Sequence, residues 1–195
     1  MIAKKSLSAL AFLVILTSLC TVFLSFTNGL YQNVKAGRQR ELRMKIWMTF
    51  GNQVDGGTFD REFPESVSVK EDGKNSFYQY AARDQAALHL TGPGLWGDIE
   101  LLMFIDYRNK TIREMFVLSQ IETPGLGARI SEQAFLDQFR GLDYSGSVRI
   151  TKDRSGKSGE VDAVSGATKT SGSLEAIINK GLETFSSFAA KEAKP

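Results

Sequence analysis

The chain is 195 residues long, 42% hydrophobic, with 24 basic and 22 acidic side chains and a net charge of +2. That length admits one ordinary domain plus an appendage, and the apolar content supports a packed core, so intrinsic disorder is excluded as the organising state. Past Lys4 and Lys5 the charges balance, 22 basic (24 minus 2) against 22 acidic, which leaves no net basic excess for a nucleic-acid partner.

The first feature in chain order is Leu7 to Phe26, "LSALAFLVILTSLCTVFLSF", twenty residues without a charge. At about 1.5 Å per residue such a helix covers roughly 30 Å, the thickness of a bilayer's hydrocarbon core. Lys4 and Lys5 stand before it as they would in a secretory leader. Leaders have a shorter apolar run and a small-x-small cleavage site, and Ser25-Phe26-Thr27 followed by Asn28 and Gly29 does not supply one. The expectation is an uncleaved membrane anchor over residues 1–30. Lys35, Arg38, Arg40, Arg43 and Lys45 follow it, and the positive-inside count, taken alone, places the bulk of the chain in the cytoplasm.

Residues 31–60 read as a helical connector, with Leu42, Ile46 and Phe50 recurring on one face among arginines and lysines. Residues 61–195 read as one domain. From Ser66 the apolar period shortens: "SVSVK", "SFYQYAAR" and "AALHLT" alternate or carry β-branched and aromatic residues between turn signals such as "EDGKN". "DIELLMFIDY" and "IREMFVLSQI" follow, separated by "RNKT", the length and composition of a hairpin connection. After "ETPGLGARI", Ser131 is placed to cap a short helix, "EQAFLDQFRG", with Phe135, Leu136 and Phe139 on one face. Strands near "GSVRITK" and "GEVDAV" lead to a last helix whose Leu174, Ile177, Ile178, Leu182 and Phe185 follow a 3.6-residue period. The fold class is α+β, a mainly antiparallel sheet with packed helices behind an N-terminal transmembrane helix.

Catalytic side chains are scarce. His89 alternates with Leu88 and Leu90 in a strand and reads as structural; with one histidine, and the one cysteine, Cys20, inside the anchor, no transition-metal site is expected. "RSGKSGE" lacks the leading glycine and the following helix of a phosphate-binding P-loop and reads as an exposed turn. "VSGAT" lacks the G-x-S-x-G elbow of a serine hydrolase.

Two glycine-rich loops remain, "TGPGLWGD" and "ETPGLGA". Each is read either as a surface turn or as a ligand platform, because each sets large apolar residues (Leu95 and Trp96, then Leu126) between glycines, where the side chains are exposed and Trp96 can serve a flat ring. "DAVSGATKT", residues 162–170, crowds Ser165, Thr168, Thr170 and, just beyond it, Ser171 around Gly166 and Ala167 in front of the last helix. These are cap residues, and a helix N-terminus is also where an anion is held, by unpaired amides and the positive end of the dipole.

With one N-terminal span, "GPGLWG", "ETPGLG" and "DAVSGATKTS" in that order, the chain resembles the RnfG/NqrC family, the covalent-FMN subunits of Rnf electron-transport complexes and sodium-pumping NADH:quinone oxidoreductases. The resemblance implies that D-x-x-S-G-A-T is a flavinylation signature, with FMN on Thr168 through a phosphoester and Asp162 recognised by a separate flavin transferase that takes FMN from FAD. It implies an isoalloxazine ring against Leu95, Trp96, Thr123 and Leu126, with Glu122 and Thr170 at its polar edge, and Ser165, Gly166, Ala167 and Lys169 around the phosphate. It further implies a redox subunit without an active site of its own, partnered by other subunits of a membrane complex, anchored in the inner membrane with its domain on the periplasmic side, against the charge count. "GLWG" inclines toward the NADH:quinone oxidoreductase branch, while the short chain suits the Rnf branch equally. Two other readings stay open: a stand-alone membrane-anchored extracytoplasmic flavoprotein, and a flavin-free structural subunit.

Overall fold

The computed structural model describes residues 2–55 and 57–192. The chain forms two compact units, one ending at Phe59 and the other beginning at Asp60.

The first unit is dominated by α1, Ile2–Thr49, a single unbroken helix of 48 residues. Of its side chains, those from Phe12 through Val34 that are large and apolar stand exposed, as they would in a helix meant for lipid. Thr17, Thr21 and Thr27 direct their hydroxyls onto carbonyls three or four residues back, which leaves no hydroxyl of these three unsatisfied along the apolar stretch. Toward the helix end Ile46 and Phe50 are buried and Leu42 half-buried, the face expected from their spacing. After Gly51 turns the chain, the Trp47 indole N–H donates to the Gln53 carbonyl at 3.1 Å, and the Trp47 and Phe59 rings meet edge to face.

The second unit opens with the short helix α2, Phe59–Ser66, and continues as a five-stranded antiparallel meander: β1 Ser68–Asp72, β2 Asn75–Tyr80, β3 Gln85–Pro93, β4 Asp98–Asp106 and β5 Thr111–Ser119. Each strand pairs with its sequence neighbour, the arrangement that short turns enforce. The β4–β5 hairpin is closed by Asp106, whose carboxylate accepts from the Asn109 backbone and side-chain amides, both at 2.8 Å.

Strand register sorts side chains by face. Phe77, Ala86, Leu88, Leu90, Ile99, Leu101, Met103, Ile105, Ile112 and Met115 share one buried face. Helix α4, Thr168–Glu192, belongs to the same cluster through Leu174, Ile177, Ile178, Leu182 and Phe185, all buried. Each such side chain contributes about 1.5–3 kcal/mol by leaving water.

Between sheet and helix the chain runs through a 3-10 turn, Gly127–Ser131, then the one-turn helix α3, Gln133–Leu136, continued as 3-10 to Phe139. Phe135, Leu136 and Phe139 are buried as their spacing indicates. The expected cap at Ser131 is not made. Glu132 holds the cap position without a side-chain bond, because the preceding 3-10 turn runs straight into the helix and the Glu132 amide bonds to Arg129 O at 3.0 Å.

β6, Arg149–Thr151, and β7, Glu160–Asp162, pair in parallel. A connection this short is unusual for parallel strands. It is braced by the Glu160 carboxylate, which accepts from the Ser155 amide at 2.7 Å and from its hydroxyl, and by Asp143, which accepts from Ser158. Helix α4 covers the flank of β6: Asn179 donates to Val148 O at 2.8 Å and accepts from Val148 N at 2.9 Å, while Glu175 accepts from Ile150 N at 2.6 Å.

Candidate functional site

The three glycine-rich segments converge at the start of α4, and one carboxylate joins them. Glu122, 5% exposed, lies just past the end of β5. Its Oε1 accepts from the backbone amides of Leu95 at 2.8 Å and Trp96 at 3.1 Å; its Oε2 accepts from the Thr170 hydroxyl at 2.6 Å. The Leu95–Trp96 turn is closed on itself by Gly94 N donating to Gly97 O at 2.7 Å. Burial pushes the Glu122 carboxyl toward its neutral form, but the Thr170 hydroxyl and the Trp96 and Leu95 amides together outweigh it and hold the pKa below the ordinary glutamate value.

Two glycines make this approach sterically available. At Gly127 a Cβ would stand 2.6 Å from Thr170 Oγ1 and 2.8 Å from Glu122 Oε2. Gly166 has φ +77°, in the left-handed region that favours glycine, and a Cβ there would meet Leu126 Cδ2 at 2.9 Å. Loop "ETPGLG" therefore touches the "VSGAT" turn at one end and the first turn of α4 at the other.

Around this hub the large apolar side chains point outward: Leu95 is 47% exposed, Trp96 66% and Leu126 44%, while their backbones are tied down. Thr123 anchors the second loop, its carbonyl accepting from the amides of Leu126 and Ala128 at 3.1 Å each, and its side chain is exposed. Thr168 is the first residue of α4 and is exposed, as are Ser165, Gly166 and Lys169. Ala167 is buried, its methyl in the core cluster rather than turned toward the surface. The turn is locked by Ala167 N donating to Val164 O at 3.0 Å and by Val164 N donating to the Ser171 hydroxyl at 3.3 Å. A polar pair expected at a ligand's edge, Glu122 and Thr170, is instead bonded internally, with Thr170 1% exposed.

Asp162 sits apart from that hub, in β7. Its side chain is exposed and 3.6 Å from Arg154, and its backbone amide donates to Gln138 Oε1. His89 bridges strands, its Nε2 2.6 Å from Glu100 Oε1 on β4.

Ile121 is absent from the residues that the sequence points to. It is 66% exposed, and its side chain lies where a Cβ on Gly97 would be, 2.3 Å from Ile121 Cδ1, so it extends the apolar patch beside Trp96. Its place in the run "FVLSQI" conceals it: the strand ends at Ser119, and the two residues beyond no longer alternate with the sheet.

The arrangement fits a flat aromatic ligand with an anionic tail. Its rigid turns present one indole and two aliphatic side chains as a platform, and the N-terminus of a 25-residue helix, with exposed Thr168 and Lys169, stands where a phosphate is favoured.

Comparison with known proteins agrees with this fit. Residues 94–183 match the model of the FMN-binding domain family. The NqrC subunit of the Na+-translocating NADH-quinone reductase of Vibrio alginolyticus is 28% identical over 131 residues, 60% of this chain and 51% of that protein. The RnfG subunit of an ion-translocating oxidoreductase complex of Methanosarcina acetivorans is 36% identical over 93 residues, 48% of this chain and 47% of that one. The chain thus spans about half the length of these two relatives. In fold, the chain is similar to the crystal structure of the NqrC subunit of the Na+-translocating NADH-quinone reductase from Parabacteroides distasonis, with a TM-score of 0.52 at 22% identity over 76% of this chain and 90% of that one.

Proposed function

Because the chain belongs to the family of the NqrC and RnfG subunits, with an FMN-binding domain over residues 94–183, we propose that it is the electron-transfer subunit of a membrane ion-translocating oxidoreductase complex and carries FMN covalently on Thr168. The observation that supports this reading is the convergence of Leu95, Trp96 and Leu126 with an exposed Thr168 around one buried hub, Glu122 with Thr170. Bound FMN would supply the reversible redox chemistry of its ring, which explains why a chain with one histidine and one cysteine needs no acid, base or thiol of its own.

Attachment requires a flavin transferase and FAD. The Thr168 oxygen bonds to the phosphorus of the FMN half, the pyrophosphate bond breaks, AMP leaves with the bonding pair, and the hydroxyl proton passes to solvent. Asp162, exposed six residues upstream, is the recognition residue for the transferase in this reading. Ser165 and Gly166 keep the Thr168 hydroxyl open, while Lys169 and the helix N-terminus favour the phosphate charge. Leu95, Trp96, Thr123 and Leu126 receive the ring.

The apolar stretch of α1, long enough to cross a bilayer, serves as the anchor in this reading, and the domain faces the periplasm. A tethered flavin has a purpose there, since a dissociated one could not be replaced from the cytoplasmic pool.

The test is direct. Protein isolated from its own membranes should fluoresce on a denaturing gel under ultraviolet light and carry an FMN mass increment on the Thr168 peptide, and Thr168→Ala should be dark while remaining folded. A native polypeptide weighing no more than its amino acids would overturn the proposal and favour a flavin-free structural subunit. Co-purification with multi-span membrane subunits distinguishes a member of a complex from a stand-alone flavoprotein.

A further inference from the structure

Leu95, Trp96 and Leu126 are exposed, yet the turn that carries Leu95 and Trp96 is held from below by a single side chain. Both Glu122 oxygens are spent: Oε1 on two successive amides of that turn, Oε2 on the Thr170 hydroxyl, two residues after Thr168. Nor is there space for a ligand atom against the carboxylate on its glycine sides, because a Cβ on Gly94 would already stand 2.5 Å from Oε1 and one on Gly127 2.8 Å from Oε2. Gln120 adds a brace from the strand side, its Oε1 accepting from the Glu122 amide at 2.6 Å. A carboxylate enclosed in this way acts on anything outside only by moving what it holds.

We propose that Glu122 is a positioning residue, a buried strut that ties the Leu95–Trp96 turn to the first turn of α4 and so sets the ring platform in register with the Thr168 hydroxyl before a flavin arrives. The inference rests on the proposed function for what the strut serves, though not for the strut itself. An ionised carboxylate suits the task because it is an acceptor only, and each of its three partners is a donor. Pre-set geometry at both ends of the ligand removes an ordering cost that a mobile indole turn would otherwise add to attachment.

Glu122→Gln keeps the shape and the acceptor toward the two amides, and its NH2 can donate to the Thr170 oxygen; Glu122→Ala removes both ends of the strut; Thr170→Val removes one hydroxyl with little change of volume. In a Trp47→Phe background Trp96 is the only tryptophan, so its anisotropy and its quenching by acrylamide report the turn in the flavin-free chain. The same variants are then given FAD and a flavin transferase, and the initial rate of covalent incorporation is followed by intact mass. Circular dichroism checks that each is folded.

The expected result is a looser, more quenchable Trp96 and an incorporation rate at least tenfold lower in Thr170→Val and Glu122→Ala, with Glu122→Gln retaining most of both. An indole as rigid in folded Thr170→Val as in the parent overturns the strut, and so does an unchanged incorporation rate once the turn has loosened. Should Glu122→Ala fail to fold, Thr170→Val alone decides. Should the parent accept no flavin, the proposed function fails by itself, and the Trp96 measurements still accept or reject the strut.

Discussion

At the scale of single residues, the site is held by groups whose positions depend on what a neighbour lacks. Gly127 is the sharpest case, since a methyl there would press on both the Thr170 hydroxyl and the Glu122 carboxylate. Neither atom is the far end of a flexible chain with somewhere to go, because each is bonded to the other. Gly127→Ala should therefore destabilise the domain by about 1–3 kcal/mol, the usual cost of overpacking, and lower its melting temperature; a variant that melts with the parent would show that the loop yields freely. The carboxylates make a second prediction. Desolvation opposes ionisation at Glu122 but is outweighed by its three donors, the Asn109 amide holds Asp106 down, the Ser145 amide holds Asp143 down, and the Ser155 amide does the same for Glu160. All four folded-state values lie below the ordinary ones of 3.8 for aspartate and 4.5 for glutamate. Each group therefore contributes stability that is fully present above its ordinary value and is lost as pH falls through the depressed one. Melting temperature should be flat from neutral pH down to about 5 and fall below about 4.5; thermal scans across that range check it, and a fall already complete at pH 5 would contradict the assignment.

At the scale of elements, α4 contains two glycines in opposite situations. Gly172 faces open space, whereas a Cβ on Gly181 would stand 2.3 Å from Leu90 Cδ1 on β3. Helix propensity alone favours alanine at both by about 0.5–1 kcal/mol. Gly172→Ala should accordingly stabilise the flavin-free domain by that amount, and Gly181→Ala should destabilise it by about 1–3 kcal/mol as the helix is pushed off the sheet. Paired denaturant titrations measure both, and equal signs would mean that packing at Leu90 is slack. The helix itself is legible in the sequence because Leu174, Ile177, Ile178, Leu182 and Phe185 keep one period and are buried together. The β4–β5 hairpin is legible for a similar reason, a short polar turn between two apolar runs. What cannot be read is pairing that depends on side chains far away in sequence. β6 and β7 run parallel across a short loop only because Ser155 folds back onto Glu160 and α4 supplies Asn179 and Glu175 to β6. The site divides along the same line. Leu95, Trp96 and Leu126 announce themselves as large residues between glycines. The Glu122–Thr170 bond spans 48 positions, and no local pattern encodes it.

At the scale of the whole molecule, two halves of the sequence argue differently about sidedness. α1 continues without a break from its apolar stretch into the segment bearing Lys35, Arg38, Arg40, Arg43 and Lys45, and those charges favour retention on the cytoplasmic side. Their influence is limited by distance, since the rule is strongest within about 15–20 residues of a span's end and long folded segments translocate largely regardless of it. The cluster begins nine residues past Phe26 and the second unit, from Asp60, carries the exposed Thr168 and Trp96. In the proposed function that unit lies outside the cytoplasm. The full chain should stay with the membrane pellet through an alkaline carbonate wash, and residues 60–195 expressed alone should not. In spheroplasts with an intact inner membrane, added protease should degrade the second unit while a cytoplasmic marker survives. Protection of that unit until the membrane is permeabilised would place the flavin site on the cytoplasmic side, in agreement with the charge count, and would remove the argument that tethering compensates for a missing flavin pool. It would leave the attachment chemistry at Thr168 to be judged on the mass of its peptide alone.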